Sequence, residues 1–155
     1  MSRNQVFWEG VEVGDDLPVL PKIADSVTAV KWAGAMGAFN PVMYEDAFAM
    51  SQGMKGPIMP GQLKLAWLVH LVTGWMGERG RLKAISCEYR GLDYPRRMKT
   101  MTEPADGETW LCRGKVVGKR IDGDDHCVDL EIAVENGSGV LTAPGKAVVV
   151  LPSRR

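Results

Sequence analysis

The arrangement of apolar and polar positions changes character near residue 80 of this chain. From Pro60-Gly61 onward, Leu63, Leu65, Trp67, Leu68, Leu71, Val72 and Trp75 place apolar side chains almost all round a helix, and Gly77 and Gly80 mark its stop. A helix that apolar on nearly every side is wrapped by other structure rather than laid on a surface. Strand-like segments follow: Leu82 to Tyr89, Met98 to Thr102, Thr109 to Val117, His126 to Val134 and Lys146 to Leu151. Gly-Asp-Asp and Glu-Asn-Gly-Ser-Gly clusters separate the later ones. Ahead of the long helix, "FWEGVEVGDD" ends in a turn at Asp16, and Leu17 to Ile23 reads as a Pro-punctuated edge strand. Asp25 or Ser26 caps a helix through Val27, Val30, Trp32 and Ala33 to about Met36, and Glu45 to Ser51 forms a short helix stopped by Gly53. This order predicts an α+β fold, a curved antiparallel sheet wrapped around one long central helix. With no internal repeat and no linker, residues 1–155 read as a single domain.

Composition narrows the function more than the fold. The 45% apolar and 25% charged fractions suit a soluble globular chain. Nineteen basic residues balance nineteen acidic ones, which argues against nucleic acid or an anionic membrane as partner. Cys87, Cys112 and Cys127 are odd in number and form no C-x-x-C, so they read as small buried hydrophobes in a reducing compartment. Arg3, Glu9, Glu12, Asp15 and Asp16 interrupt any signal-peptide core, and no apolar run reaches the roughly 18 residues a spanning helix needs. The expectation is a soluble, cytoplasmic protein.

Few side chains offer chemistry. Gln62, Ala66 and His70 share one stripe of the long helix, so His70 is the imidazole that faces a pocket, if it is not simply a satisfied core histidine. His126, flanked by charges, reads as exposed. Tyr44 is either a packing residue or a proton donor. No Ser/His/Asp set, metal-ligand pair or Gly-rich phosphate loop is visible, so neither metal nor cofactor is expected. Gly61 opens the buried helix, where free N–H groups and the helix dipole favour negative charge; tight packing is the other reason for a glycine there.

Several stretches resemble, in order, the MaoC-like hydratase/dehydratase family of the hotdog fold, whose members include (R)-specific enoyl-CoA hydratases. "EVGDDL" is similar to the family's opening Gly-Asp turn. "FNPVMYEDAFA" resembles its active-site segment, Asp-x-Asn-Pro-x-His-x-Asp before a short helix. "GPIMPGQLKLA" resembles its Pro-Ile-x-His-Gly approach to the central helix, and "YRGLDYP" and "GKAVVVLP" its later strands. The resemblance implies a lyase-type fold of lipid metabolism that binds an acyl-CoA or similar small apolar ligand as a dimer. It also implies that the Gly61 amide polarises the thioester carbonyl, and that Ala38, Asn40, Met43 and Ala66 line the substrate site.

The implied acid/base pair is missing. Where the family has Asp and His to hold and deprotonate water, this chain has Ala38 and Met43, which neither accept nor release protons. Pro60 stands for the His before the helix glycine, and Ala66 for a position that is often hydroxylated. Glu45 falls on the family's second acidic position, where it serves chemistry or only the local turn. Lys83, Arg90, Arg96, Arg97 and Lys99 gather around "EYRGLDYPRRMKT" in place of a Gly-Asp turn, with Arg96, Arg97 and Lys99 suited to coenzyme A phosphates or to a solvated face. Two functions follow. One is a non-catalytic or partner-dependent subunit shaping an acyl-thioester pocket for a catalytic hotdog homologue. The other is a self-sufficient homodimeric enzyme of altered chemistry, using Tyr44, Glu45, Gln62 or His70.

Overall fold

The computed structural model describes residues 5–154. The long helix, α3 (Gly61–Met76), lies against a five-stranded antiparallel sheet. The strands are β1 (Leu20–Lys22), β2 (Arg81–Cys87), β3 (Trp110–Asp122), β4 (Asp125–Glu135) and β5 (Leu141–Val150), in the spatial order β1-β3-β4-β5-β2. Alternation decides which face is apolar. Trp110, Cys112 and Val116 of β3, Val128, Leu130, Ile132 and Val134 of β4, and Ala143, Ala147 and Val149 of β5 point inward. They meet Leu63, Trp67, Leu68, Leu71 and Val72 of α3, with the Trp67 and Trp110 rings 5.9 Å apart. Each fully buried Leu, such as Leu68 or Leu130, contributes about 1.5–3 kcal/mol.

The sheet covers α3 on one side only. Gln62 and His70 are exposed, and Leu65, Ala66, Val69 and Thr73 are half-buried, so an uncovered stripe runs along a helix that the sequence made apolar nearly all round. Both sheet edges are open among the described residues. β1 is short and carries Pro21, which blunts its edge. β2 is seven residues long, with a bulge at Lys83 that turns this side chain toward Asp122 and Asp125 (2.9 and 3.0 Å).

Two helices and a turn lie between β1 and α3. Helix α1 (Ser26–Met36) starts at Asp25, whose carboxylate accepts from the Thr28 N–H and hydroxyl, and ends at Gly37 with φ +62°. Of the two caps the sequence allowed, Asp25 is the one used. A 3₁₀ turn at Pro41–Met43 and helix α2 (Asp46–Ser51) follow.

Three expectations differ from the structure. Met98 to Thr102 forms no strand; it is an irregular loop with a single bridge from Met98 to Pro104. Arg96 explains why: its guanidinium donates to the carbonyls of Gly107 and Glu108 and to the Thr109 hydroxyl, pulling 96–109 into a closed loop. β5 begins at Leu141 rather than Lys146, running through Pro144 and Gly145. Gly145 is required there because any Cβ would collide with the Ser86 carbonyl oxygen. His126 is half-buried, its ring 5.1 Å from that of Trp8, so packing rather than neighbouring charge sets its environment.

Candidate functional site

Backbone bonding builds the 37–45 turn. Gly37 in the left-handed region ends α1, and the Ala38 N–H returns to the Ala33 carbonyl at 3.0 Å. The Asn40 side-chain oxygen accepts from the Val42 N–H at 3.2 Å, and Pro41 occupies the first position of the 3₁₀ turn, where its missing N–H costs nothing. The N–H groups of Met43 and Tyr44 then close on Asn40 and Pro41. One further bond ties this turn to the start of α3: Ile58 N–H donates to the Val42 carbonyl at 3.0 Å, three residues before Gly61. Asn40, Met43 and Gly61 therefore belong to one bonded frame.

At Gly61 the helix opens without a capping side chain, since Pro60 offers none. Its first N–H groups are left facing the helix mouth, where the dipole is positive. The structure also supplies a packing reason for the glycine. A Cβ here would stand 2.9–3.0 Å from the ring of Tyr89.

Around this frame the side chains are poor in protons. Ala38 is exposed and Met43 half-buried. The Tyr44 hydroxyl donates to the Phe39 carbonyl at 3.2 Å. Glu45 is exposed at the N-cap of α2 and caps nothing. Gln62 is exposed and Ala66 half-buried on the stripe that also carries His70. The His70 Nδ1 lies 2.7 Å from the Lys22 Nζ of β1; an ammonium only donates, so Nδ1 is the acceptor in that contact.

The basic cluster divides. Lys83 is held by Asp122 and Asp125, Arg90 by Glu88, and Arg97 by Asp46 of α2. Arg96 is committed to the carbonyls and hydroxyl of 107–109, while the Lys99 ammonium meets no carboxylate among the described residues. The hydrogen bond to Asp122, ahead of that to Asp125, raises the Lys83 pKa, and Lys83 in turn lowers both carboxyl groups.

Sequence reasoning missed a buried ion pair beside the helix mouth. Lys64 Nζ lies 2.7 Å from Asp93 Oδ2 and 2.9 Å from the Gly91 carbonyl, and both side chains are almost fully buried (2% and 0% exposed). The signal was present: Lys64 sits four residues before Leu68 on the helix's inward stripe, where a charge demands a partner. The second Asp93 oxygen and the Thr142 hydroxyl are buried with no hydrogen-bond partner among the described residues. Cys87, nearby, has its thiol pushed up by burial, and burial, ahead of the neighbouring Cys87, likewise raises the Tyr89 phenol.

A groove of about 760 Å³ lies elsewhere, lined by outward residues of the sheet such as Arg113, Lys115, Glu131 and Lys146. Ala38, Met43 and Gly61 do not line it. Among the described residues no three His, Cys, Asp or Glu side chains group to hold a metal ion, and no helix is long and apolar enough to cross a membrane.

No protein-family model matches this chain, and no curated protein matches it in sequence. Solved structures do match. The (R)-hydratase from A. caviae involved in PHA biosynthesis superposes with a TM-score of 0.78 at 22% identity, over 93% of this chain and 99% of that one. The fold is the hotdog fold. The ChsH1-ChsH2 complex from Mycobacterium tuberculosis is similar over 90% of this chain and 98% of that one, at 21% identity and a TM-score of 0.74. A MaoC-like dehydratase from Rhodospirillum rubrum matches at 16% identity and 0.77, over 97% and 99%. The structural neighbours of this hotdog chain thus include (R)-hydratases and MaoC-like dehydratases, at identities that speak to shape alone.

Proposed function

We propose that this chain is a MaoC-like acyl-thioester-binding subunit that keeps a hydratase frame without its acid/base pair and works with a second hotdog chain. The observation that carries this is the 38–43 turn. The N–H groups of Ala38, Val42 and Met43 are bonded and Val42 is tied to the approach to α3, yet Ala38 and Met43 supply no proton donor or acceptor. In this proposal the Gly61 amide receives the thioester carbonyl, an interaction that needs no side chain. Ala38, Asn40, Met43 and Ala66 line the acyl site, and Lys99 meets the coenzyme A phosphates, Arg97 being held by Asp46. Arg96 is spent on the 107–109 loop.

The partner is argued from what stays uncovered. The β2 edge has unpaired backbone groups, and α3 keeps a half-buried stripe beside it. Phe39 of the 37–45 turn, Tyr89 at the helix mouth and Leu92 are 65%, 49% and 57% exposed. A second hotdog chain, pairing sheets edge to edge with the helices side by side, covers all three features, and the ChsH1-ChsH2 complex among the structural neighbours is in keeping with two unlike chains. A self-sufficient enzyme is less well supported, because the Tyr44 hydroxyl is engaged at Phe39 and His70 Nδ1 at Lys22.

The test is what the chain carries when purified under native conditions. A second hotdog chain in the complex, with butyryl-CoA binding by that complex, is expected. A compact monomer at micromolar concentration, or a homodimer that alone hydrates enoyl-CoA, contradicts the proposal.

A further inference from the structure

Beyond β2, pairing with β5 continues into the next segment: Glu88 N–H donates to the Pro144 carbonyl (2.9 Å) and Arg90 N–H to the Thr142 carbonyl (3.0 Å). Strand alternation is therefore preserved past Cys87. Ile85 and Cys87 pack on the core, and Tyr89 is the next inward residue. Its ring lies over the first turn of α3. The Cβ position of Gly61 is 2.9 Å from the Tyr89 Cγ and 3.0 Å from both Cδ atoms, and such equal distances to three ring atoms place the ring's face, not its edge, against the glycine. Helical Cα–Cβ bonds tilt toward the N-terminus, the direction in which the unbonded N–H groups also point. The ring thus stands as a flat wall beside the Gly61 amide.

The wall is held in place. Lys64 grips the Gly91 carbonyl and Asp93 from beneath, and Met59 N–H donates to the Asp93 carbonyl at 2.8 Å. These contacts fix the segment that carries the ring, while the ring itself remains half exposed to an incoming ligand.

We infer that Tyr89 is a specificity-determining residue of the Gly61 site. It admits acyl thioesters that are straight at carbon 2 and rejects those branched at a tetrahedral carbon 2. A carbonyl seated on the amide lies alongside the ring, where an unbranched chain passes in van der Waals contact. A methyl group on a tetrahedral carbon 2 projects out of that plane into the ring. This inference rests on the acyl-thioester proposal above.

The test compares butyryl-CoA with isobutyryl-CoA, by calorimetry, on the protein as it purifies. The wild type is expected to prefer butyryl-CoA by about tenfold or more, the discrimination one methyl group gives against a fitted apolar wall. Tyr89→Phe keeps the preference, and Tyr89→Ala brings the ratio near one. An unchanged ratio in Tyr89→Ala overturns the inference while leaving thioester binding intact. Binding of neither thioester overturns the acyl-thioester proposal and the inference with it. Ring placement has its own readout. Gly61→Ala is expected to lower the melting temperature by several degrees in the wild-type background, from the steric clash, and not at all in the Tyr89→Ala background, where alanine's helix propensity is free to help. Equal lowering in both backgrounds overturns the inference without reference to any ligand.

Discussion

Two regions, each bonded to the approach to α3 through Ile58 or Met59, treat polar chemistry in opposite ways. In the 38–43 turn the N–H groups of Ala38, Val42 and Met43 are bonded, while the Ala38 and Met43 side chains exchange no protons. Just inside the mouth of α3, Lys64 and Asp93 form an ion pair withdrawn from water, where it cannot touch a ligand. The first region is a frame whose shape needs no charge. The second is a charge pair whose work is to hold shape, fastening the 88–93 segment to the helix. Residue type alone is therefore a poor guide to chemistry here. Lys and Asp, the more reactive types, are structural, and the backbone amide of a glycine is the better candidate for meeting substrate.

The largest expected effect that sharpens this contrast is at the ion pair. Lys64→Met or Asp93→Ala leaves one buried charge without its partner and is expected to cost about 3–5 kcal/mol in denaturant unfolding. The double variant Lys64→Met with Asp93→Leu is expected to recover most of that loss, because two apolar side chains leave no uncompensated charge. A double variant as unstable as the sum of the singles breaks the structural assignment.

A smaller effect belongs to the turn. Asn40→Ala removes the side-chain acceptor for the Val42 N–H and is expected to cost about 1 kcal/mol, as capping losses do. The same variant is expected to weaken butyryl-CoA binding, since Val42 is tied through Ile58 to the start of α3. Weakened stability with unchanged binding detaches the turn from the site.

Much of the fold was legible because periodicity reports burial. The apolar stripe from Leu63 to Trp75 and the Gly-Asp-Asp and Glu-Asn-Gly-Ser-Gly turns located α3, β3 and β4. What failed was set by tertiary contacts. Met98 to Thr102 has a strand's composition, but Arg96 bends its surroundings onto 107–109. The Pro144-Gly145 pair resembles a turn, but lies inside β5 because β2 approaches too closely for a side chain. At the site, the Asn40-Pro41 turn was readable from local turn chemistry. Tyr89 was not: its partner is Gly61, 28 positions away in the sequence, and no local pattern announces a ring across a helix mouth. Lys64 was readable in principle, as a charge on an inward stripe, but its partner Asp93 was not.

Hydration of crotonyl-CoA, followed by loss of enoyl-thioester absorbance, tests the central claim that the frame is kept and the acid/base pair lost. Each missing proton-transfer group lowers the rate by about 10²–10⁴. The wild-type chain and the single variants Ala38→Asp and Met43→His are therefore expected to be near silent. The double variant restores both groups on a turn that Asn40 and Pro41 already hold, and is expected to give measurable turnover, reduced because active-site geometry must be good to about 0.5 Å. Turnover near ~10 s⁻¹ by the wild-type chain alone, typical of an ordinary enzyme, contradicts the account, as does a folded, thioester-binding double variant that stays silent.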